Sequence, residues 1–142
     1  MAEPKKVIAR FVEGMEFHTT TGSGHCVVTD AGEKAGGKNR GPSPMELLLV
    51  GMAGCTGVDV VDILRKKRVE FKGLEVRVEA KRAETYPMVY TDIDIVYSVR
   101  GKDVSEHAVK QAIHLSEAKY CSASIMLGKT AKINTQYEII AE

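Results

Sequence analysis

GPSPMELLLVGMAGCTGVDVVDILRKKR, residues 41–68, decides the fold of this chain. It predicts one long helix over residues 43–68 whose start is fully signalled. Ser43 suits the N-cap, Pro44 the first helical position, and Glu46, three residues after the serine, completes a capping box. Residues 47–58 carry no charge, and the basic run Arg65, Lys66, Lys67, Arg68 suits the negative end of the helix dipole. A helix that is apolar around nearly its whole circumference has to be buried on most sides. Its uncharged stretch falls short of the roughly 20 residues that a bilayer needs, so no membrane span is expected. Gly51, Gly54 and Gly57 each cost about 1 kcal/mol against alanine in a helix, which predicts close approach of another backbone or a ligand. Cys55 lies near the middle and shares its face with Leu48, Gly51, Val58, Asp59 and Asp62 by helical spacing.

Upstream, residues 1–30 read as N-terminal strands: residues 6–13, a break at Gly14, residues 15–21, a turn at Thr21-Gly22-Ser23-Gly24, then residues 25–29. Residues 31–42 are polar and glycine-rich and predict an exposed loop. Downstream, residues 73–99 alternate as a long hairpin. Leu74, Val76, Val78 and Ala80 share one face; Ile93, Ile95, Tyr97 and Val99 share another, with Glu84-Thr85-Tyr86-Pro87 as the connection. Residues 105–127 supply helices, the first over 105–120 and a brief one over 122–127. Residues 132–141 form a last strand. The expectation is a single α+β domain, residues 1–142, in which one curved sheet covers one side of the central helix and the second helix covers another. The remaining glycine-rich surface then calls for a second copy of the chain, a homodimer.

The totals narrow the function. A chain of 142 residues with 44% hydrophobic and 27% charged residues has the composition of an ordinary soluble domain with a real core. A net charge of +1, with no basic stripe interleaved with aromatics, offers no field for nucleic acid. The N-terminal segment MAEPKKVIARF lacks the apolar core of a signal peptide, so a cytoplasmic location is expected. Three cysteines, an odd number, argue against a structural disulfide framework. Without a CxxC or a histidine pair at zinc-site spacing, neither a metal centre nor another cofactor is expected.

The thiols are the candidate chemistry. Cys55 is either a small core residue in a tight helix contact or a reactive group beside one. Cys121 stands just before a short helix, where backbone N–H groups and the dipole favour a thiolate; its other reading is core filler. Should the two meet, one thiolate can attack a peroxide and the other thiol can condense with the resulting sulfenic acid. Asp59, one turn after Cys55, works against a thiolate, so a cation is required nearby. Arg40, in the loop tethered to the helix start, is the first choice, ahead of Lys38 and Arg10. Glu46 lies roughly 13 Å along the axis from Cys55. It is the capping carboxylate and can reach a thiol only on a neighbouring subunit. Cys26 and His25 face opposite ways on a strand, so the histidine does not activate that thiol. No phosphate loop, dinucleotide fingerprint or nucleophile-elbow serine is present.

The helix GPSPMELLLVGMAGCTGVDVVDIL, the hairpin after it and the later HLSEAKYCSASIML together resemble the OsmC/Ohr family, that of osmotically inducible protein C and the organic hydroperoxide resistance protein, in the OsmC-like branch with the YhfA group. The resemblance spans nearly the whole chain. It implies curved antiparallel sheets around long central helices in an intertwined homodimer with active sites at the subunit interface. It also implies a thiol-dependent peroxidase reducing organic hydroperoxides to alcohols, with Cys55 peroxidatic and Cys121 resolving. The disulfide would be reduced by a dithiol, a lipoylated protein in one branch. The family pattern opens the helix with a proline–glutamate pair whose glutamate locks an arginine over the thiol. Here Met45 follows Pro44 and the acid comes one place later as Glu46, so Arg40 is assigned from position alone. Two rival functions remain: a non-catalytic module binding a small apolar ligand on the same dimeric scaffold, and a thiol hydrolase or acyl carrier, which would need a base beside Cys55.

Overall fold

The computed structural model describes residues 2–142. Its contacts divide into two compact units, one ending at Leu49 and the other running Val50–Glu142.

The first unit holds an antiparallel sheet in the order β1 (Val7–Glu13), β2 (Glu16–Thr21), β3 (Cys26–Thr29). The β1–β2 turn needs a left-handed residue, and Gly14 supplies it at φ 56. Register sets Phe11 opposite Phe17, their rings edge to face at 5.8 Å. The loop that follows is more organised than its composition predicts. Asp30 is buried and accepts backbone N–H bonds from Ala31, Lys38 and Arg40 at 2.7, 3.2 and 3.1 Å. Burial works to raise its carboxyl pKa, but those donors hold it below the usual value. One short 3-10 turn, Glu33–Ala35, lies inside this wrap.

α1 (Pro44–Lys66) begins as its sequence specifies. Ser43 N–H donates to Glu46 Oε1 at 2.9 Å and Glu46 N–H donates to Ser43 Oγ at 3.2 Å, the reciprocal capping box. The helix ends at a left-handed Arg68, φ 59, after which Val69 N–H closes back on Leu64 O.

The second unit carries a mixed sheet in the order β4 (Gly73–Arg82), β5 (Tyr90–Gly101), β6 (Lys132–Ala141). The single curved sheet expected over the central helix, and the antiparallel sheets that the resemblance implies, each take one correction. Among the described residues there are two three-stranded sheets, and β6 runs parallel to β5, with Ile95 opposite Thr135 and Tyr97 opposite Tyr137. Parallel pairing needs a crossover. It is supplied by α2 (Glu106–Leu115), a π-helical turn over Ser116–Tyr120, and α3 (Ser122–Leu127). The single helix expected over 105–120 therefore changes pitch at Ser116. Ser105 caps α2 by accepting from Ala108 N–H.

The core lies under β5. Ile93, Ile95, Tyr97 and Val99 are sealed, as are Val109 and Ala112 of α2 and Met52, Thr56, Val60 and Leu64 of α1. That last set is one i, i+4 row. Within one chain α1 is therefore buried along a single face rather than on most sides, and Val58 is 69% exposed. By length and composition the helix would pass for a membrane span, with a mean hydropathy of 1.9 over its best 18 residues. The sealed row and the hydrogen bonds of Thr56 and Asp59 make it a core helix instead.

Candidate functional site

The site forms where the middle of α1 meets the π turn. Cys55 and Asp59, one turn apart, share a face of α1, while Thr56 points into the core. Cys121 N–H donates to Ser116 O at 2.7 Å, the wider closure that defines a π turn. Cys121 then takes an extended conformation and caps α3. Its Sγ accepts from Ser124 N–H at 3.3 Å and from Ser124 Oγ–H at 3.1 Å. The outcome is a convergence of groups 66 residues apart in the chain. Cys55 Sγ, Cys121 Sγ and a carboxylate oxygen of Asp59 all lie within 4.8 Å of one another. Cys55 is half-buried and Cys121 is fully buried; neither is in a disulfide.

Burial is the largest influence on Cys121 and pushes its thiol pKa up. The two Ser124 donors pull it down, and Cys55 adds to the rise. The helix start that favours a thiolate at Cys121 is thus opposed by burial, which is the larger influence.

A string of hydrogen bonds runs inward from Asp59. Ser116 Oγ–H donates to Asp59 Oδ2 at 3.0 Å, and Thr56 Oγ1 lies 2.8 Å from Ser116 Oγ and 2.7 Å from Tyr97 OH. Tyr97 OH lies 2.6 Å from Glu117 Oε2, and Thr135 Oγ1–H donates to Glu117 Oε1 at 2.6 Å. Among the described residues no buried side-chain nitrogen or oxygen lacks a partner. Sequence reasoning left Thr56, Tyr97, Ser116, Glu117 and Ser124 out of the site. The available signal was a hydroxyl on an otherwise apolar buried face, at Thr56 of α1 and Tyr97 of β5, since such groups need partners.

Two clefts meet at Asp59. One, of about 670 Å³, is lined by Gly54, Gly57, Val58, Phe71, Leu74 and Val76 as well as Asp59, Val61, Asp62 and Arg65. The other, of about 400 Å³, carries Asp59, Asp62, Ile63, Lys66, Lys67, Leu115 and Tyr120. The two thiols and the carboxylate are also close enough to converge on a cation, one donor short of the four that close a structural zinc site. Cys121 Sγ and Asp59 Oδ2 already accept hydrogen bonds, which suits a thiol pair beside an acid.

The other candidates belong to the first unit and have partners there. The Arg40 guanidinium pairs with Glu13 at 3.5 Å and Glu16 at 3.7 Å. Glu46 serves the capping box, and the Ser43 N–H, then its hydroxyl, hold the Glu46 carboxyl pKa below its usual value. Lys38 pairs with Glu13. Cys26 is exposed on β3, and His25 Nδ1 bonds Ser23 Oγ at 3.0 Å rather than that thiol.

Two thiols of unequal exposure, held beside one acid on a long core helix, define an α+β dithiol protein. The chain belongs to the OsmC-like protein family, whose profile matches residues 36–136. It is similar to Protein YhfA of Escherichia coli strain K12, with 39% identity over 134 residues, 93% of this chain and 96% of that protein. It is also similar to a hypothetical protein from Aquifex aeolicus VF5 known by crystal structure. That likeness has a TM-score of 0.87 and 35% identity, with 99% of both chains covered. An organic hydroperoxide resistance protein OsmC from Legionella pneumophila shares the fold at a TM-score of 0.75 and 11% identity, over 97% of this chain and 98% of that one.

Proposed function

We propose that this protein is a thiol peroxidase that reduces organic hydroperoxides to alcohols, with Cys55 as the peroxidatic and Cys121 as the resolving cysteine. The observation that carries this reading is the meeting of a half-buried and a sealed thiol within 4.8 Å. The Cys55 thiolate attacks the terminal hydroperoxide oxygen, the O–O bond breaks, and the alkoxide leaves with the electron pair and takes up a proton. Cys55 is then a sulfenic acid. The Cys121 thiol condenses with it, water departs, and a disulfide remains. A dithiol, such as a lipoylated protein, reduces it and restores both thiols. The exposed groove beside Asp59, apolar along Phe71, Leu74 and Val76, suits the organic part of such a substrate. Family membership and a fold shared with organic hydroperoxide resistance proteins support a redox role.

The functional unit in this proposal is a homodimer in the cytoplasm. Val7, Ile8, Phe11 and Val12 on β1, and Leu48, Val50 and Val58 on α1, are exposed apolar side chains of the single chain. Burying them between two copies is the simplest use of that surface. In such a dimer Arg40 or Glu46 of one copy reaches a thiol of the other only by giving up its pairing with Glu13 and Glu16 or its place in the capping box.

Stoichiometric tert-butyl hydroperoxide should consume both thiols and yield a Cys55–Cys121 disulfide in the peptide map. Unchanged turnover in Cys55→Ser would refute the assignment. The same groove favours a second reading, a binding site for a small apolar ligand without turnover. Slow oxidation of both thiols, together with a ligand retained through purification, would select it.

A further inference from the structure

The hydrogen bonds behind Asp59 do not balance if both of their terminal carboxylates are ionised. Four short oxygen–oxygen contacts run in series: Asp59 to Ser116, Ser116 to Thr56, Thr56 to Tyr97, and Tyr97 to Glu117, at 3.0, 2.8, 2.7 and 2.6 Å. Each needs a proton between its oxygens, because two bare lone pairs repel at such distances. The three hydroxyls of Ser116, Thr56 and Tyr97 bring three protons for four contacts. If Ser116 donates to Asp59 and Tyr97 to Glu117, the single Thr56 proton faces two acceptors. Thr135 does not make up the difference, since it bonds the other Glu117 oxygen. Thr56, Ser116 and Tyr97 are fully buried, where an unpaired contact is least tolerable.

We propose that this string holds a fourth proton, carried as a carboxylic acid at Asp59 or Glu117, and that it relays this proton between the thiol pocket and Glu117. Two ordered arrangements satisfy all four contacts. In one, Asp59 is the acid and every donor points toward Glu117. In the other, Glu117 is the acid and every donor points toward Asp59. One hop along each contact converts the first into the second and moves the charge from one end to the other. Burial, then the Glu117 carboxylate, push the Tyr97 phenol pKa up, so the phenol is a neutral hydroxyl in both arrangements.

The use of this device at Cys55 rests on the peroxidase reading; the proton count does not. With the fourth proton at Glu117, Asp59 is the anion within 4.8 Å of Cys55 Sγ, close enough for transfer through one water. It takes the thiol proton on Oδ1, the oxygen that Ser116 does not bond. After the thiolate has attacked the hydroperoxide, Asp59 returns that proton to the alkoxide, and the alcohol leaves. Asp59 is then the catalytic acid–base. Ser116, Thr56, Tyr97 and Glu117 are positioning residues that keep it ionised. The titratable groups around Asp59 are the thiols of Cys55 and Cys121, and Asp62, Arg65, Lys66, Lys67 and Tyr120 along its two clefts.

The test reads the proton directly by infrared spectroscopy of the reduced, full-length protein at neutral pH. Wild type should show the carbonyl stretch of a protonated carboxyl group. Thr56→Val and Tyr97→Phe should each lose it, although Thr56 touches no carboxylate and Tyr97 touches only Glu117. Each variant leaves two contacts in the Asp59 and Glu117 string and two hydroxyls to fill them, so no fourth proton is called for. Absence of the band in wild type, or its persistence in either folded variant, overturns the proposal. Having two variants keeps the test open if one fails to fold. A band that behaves as expected in a protein inert to tert-butyl hydroperoxide would keep the fourth proton. It would overturn its use at Cys55 together with the peroxidase reading.

Discussion

Replacing Gly51 and Gly54 of α1 together by alanine separates what one chain wants from what a pair of chains wants. Within the single chain, a Cβ built at either position meets no heavy atom within 4 Å. Helix propensity alone then predicts a gain of about 2 kcal/mol for the two substitutions. For a chain of this length that raises the midpoint of thermal unfolding by roughly 6 °C. The three glycines of this helix thus have no packing reason at Gly51 or Gly54 inside one subunit, and at Gly57 a Cβ would only touch Val76 Cγ2 at an ordinary 3.7 Å. If a second copy lies against this face, the methyl groups enter a packed interface, and overpacking there costs about 1–3 kcal/mol. At about 1.4 kcal/mol per tenfold, the dimer dissociation constant should rise by roughly 5- to 150-fold.

Sedimentation equilibrium and thermal unfolding at two protein concentrations read both effects. The expected result is a sturdier chain in a weaker dimer, with a midpoint that depends less on concentration than in wild type. Gly57→Ala is the comparison, because its new methyl has a partner inside the chain. A double variant that gains stability while its self-association is unchanged would show that these glycines face no second copy. A wild type that is monomeric at every concentration would remove the dimer itself.

The remaining expectations are more direct. Cys55→Ser should reduce peroxide turnover to the uncatalysed background. Cys121→Ser should leave one rapid oxidation that stalls and proceeds to a sulfinic acid, visible by intact mass, because no thiol is there to condense with the sulfenic acid. The raised pKa of the Cys121 thiol carries a sign: the folded state keeps a proton that the unfolded state releases above pH 9.0. Stability is therefore fully present below that pH and falls as pH rises through the folded value. In denaturant titrations under reducing conditions, the gap between wild type and Cys121→Ala should narrow above pH 9.0. Ser43→Ala removes the N-cap hydroxyl from the capping box and should destabilise the chain by about 1 kcal/mol, with no effect on the rate of thiol oxidation.

The elements were legible wherever a local rule specifies them. The capping box at Ser43 and Glu46 and the alternation over β4 and β5 are both short-range, and each of these elements begins within a few residues of its sequence signal. Two features were not legible, and both are long-range. Nothing in residues 132–141 says whether that strand pairs parallel or antiparallel, because alternation is the same in both. The π turn at Ser116 leaves the helical periodicity of its own segment almost unchanged, yet it sets the direction from which Cys121 arrives. The same limit applies at the site. Cys55 and Cys121 stood out as residue types, but their meeting depends on the path of α2 and the π turn. Thr56, Tyr97 and Ser116 gave no motif, since a buried hydroxyl is informative only once its partner is known. Arg40 was assigned from nearness in sequence to the helix start alone, and within its own unit its guanidinium is paired with Glu13 and Glu16.

The difficulty that sequence raised about Asp59 changes character once its partners are known. An anion one turn from a thiol opposes the thiolate, and by that rule Asp59 is a defect at a peroxidatic site. The rule holds for a carboxylate whose charge is fixed. Asp59 instead ends a string of hydroxyls that has room for a proton at either extremity. A carboxylate so connected can take the thiol proton, so that its charge is neutralised in the same step that creates the thiolate. The unequal burial of the two cysteines fits that order of events. Burial keeps Cys121 protonated, which holds it in reserve as the thiol that condenses, and leaves the half-exposed Cys55 as the group whose proton Asp59 removes. An Asp59→Asn variant distinguishes the two views. If Asp59 merely repels the thiolate, losing its charge should speed the reaction of Cys55 with iodoacetamide and with tert-butyl hydroperoxide alike. If it moves the proton, the substitution should slow peroxide reduction, because the alkoxide is left without its acid.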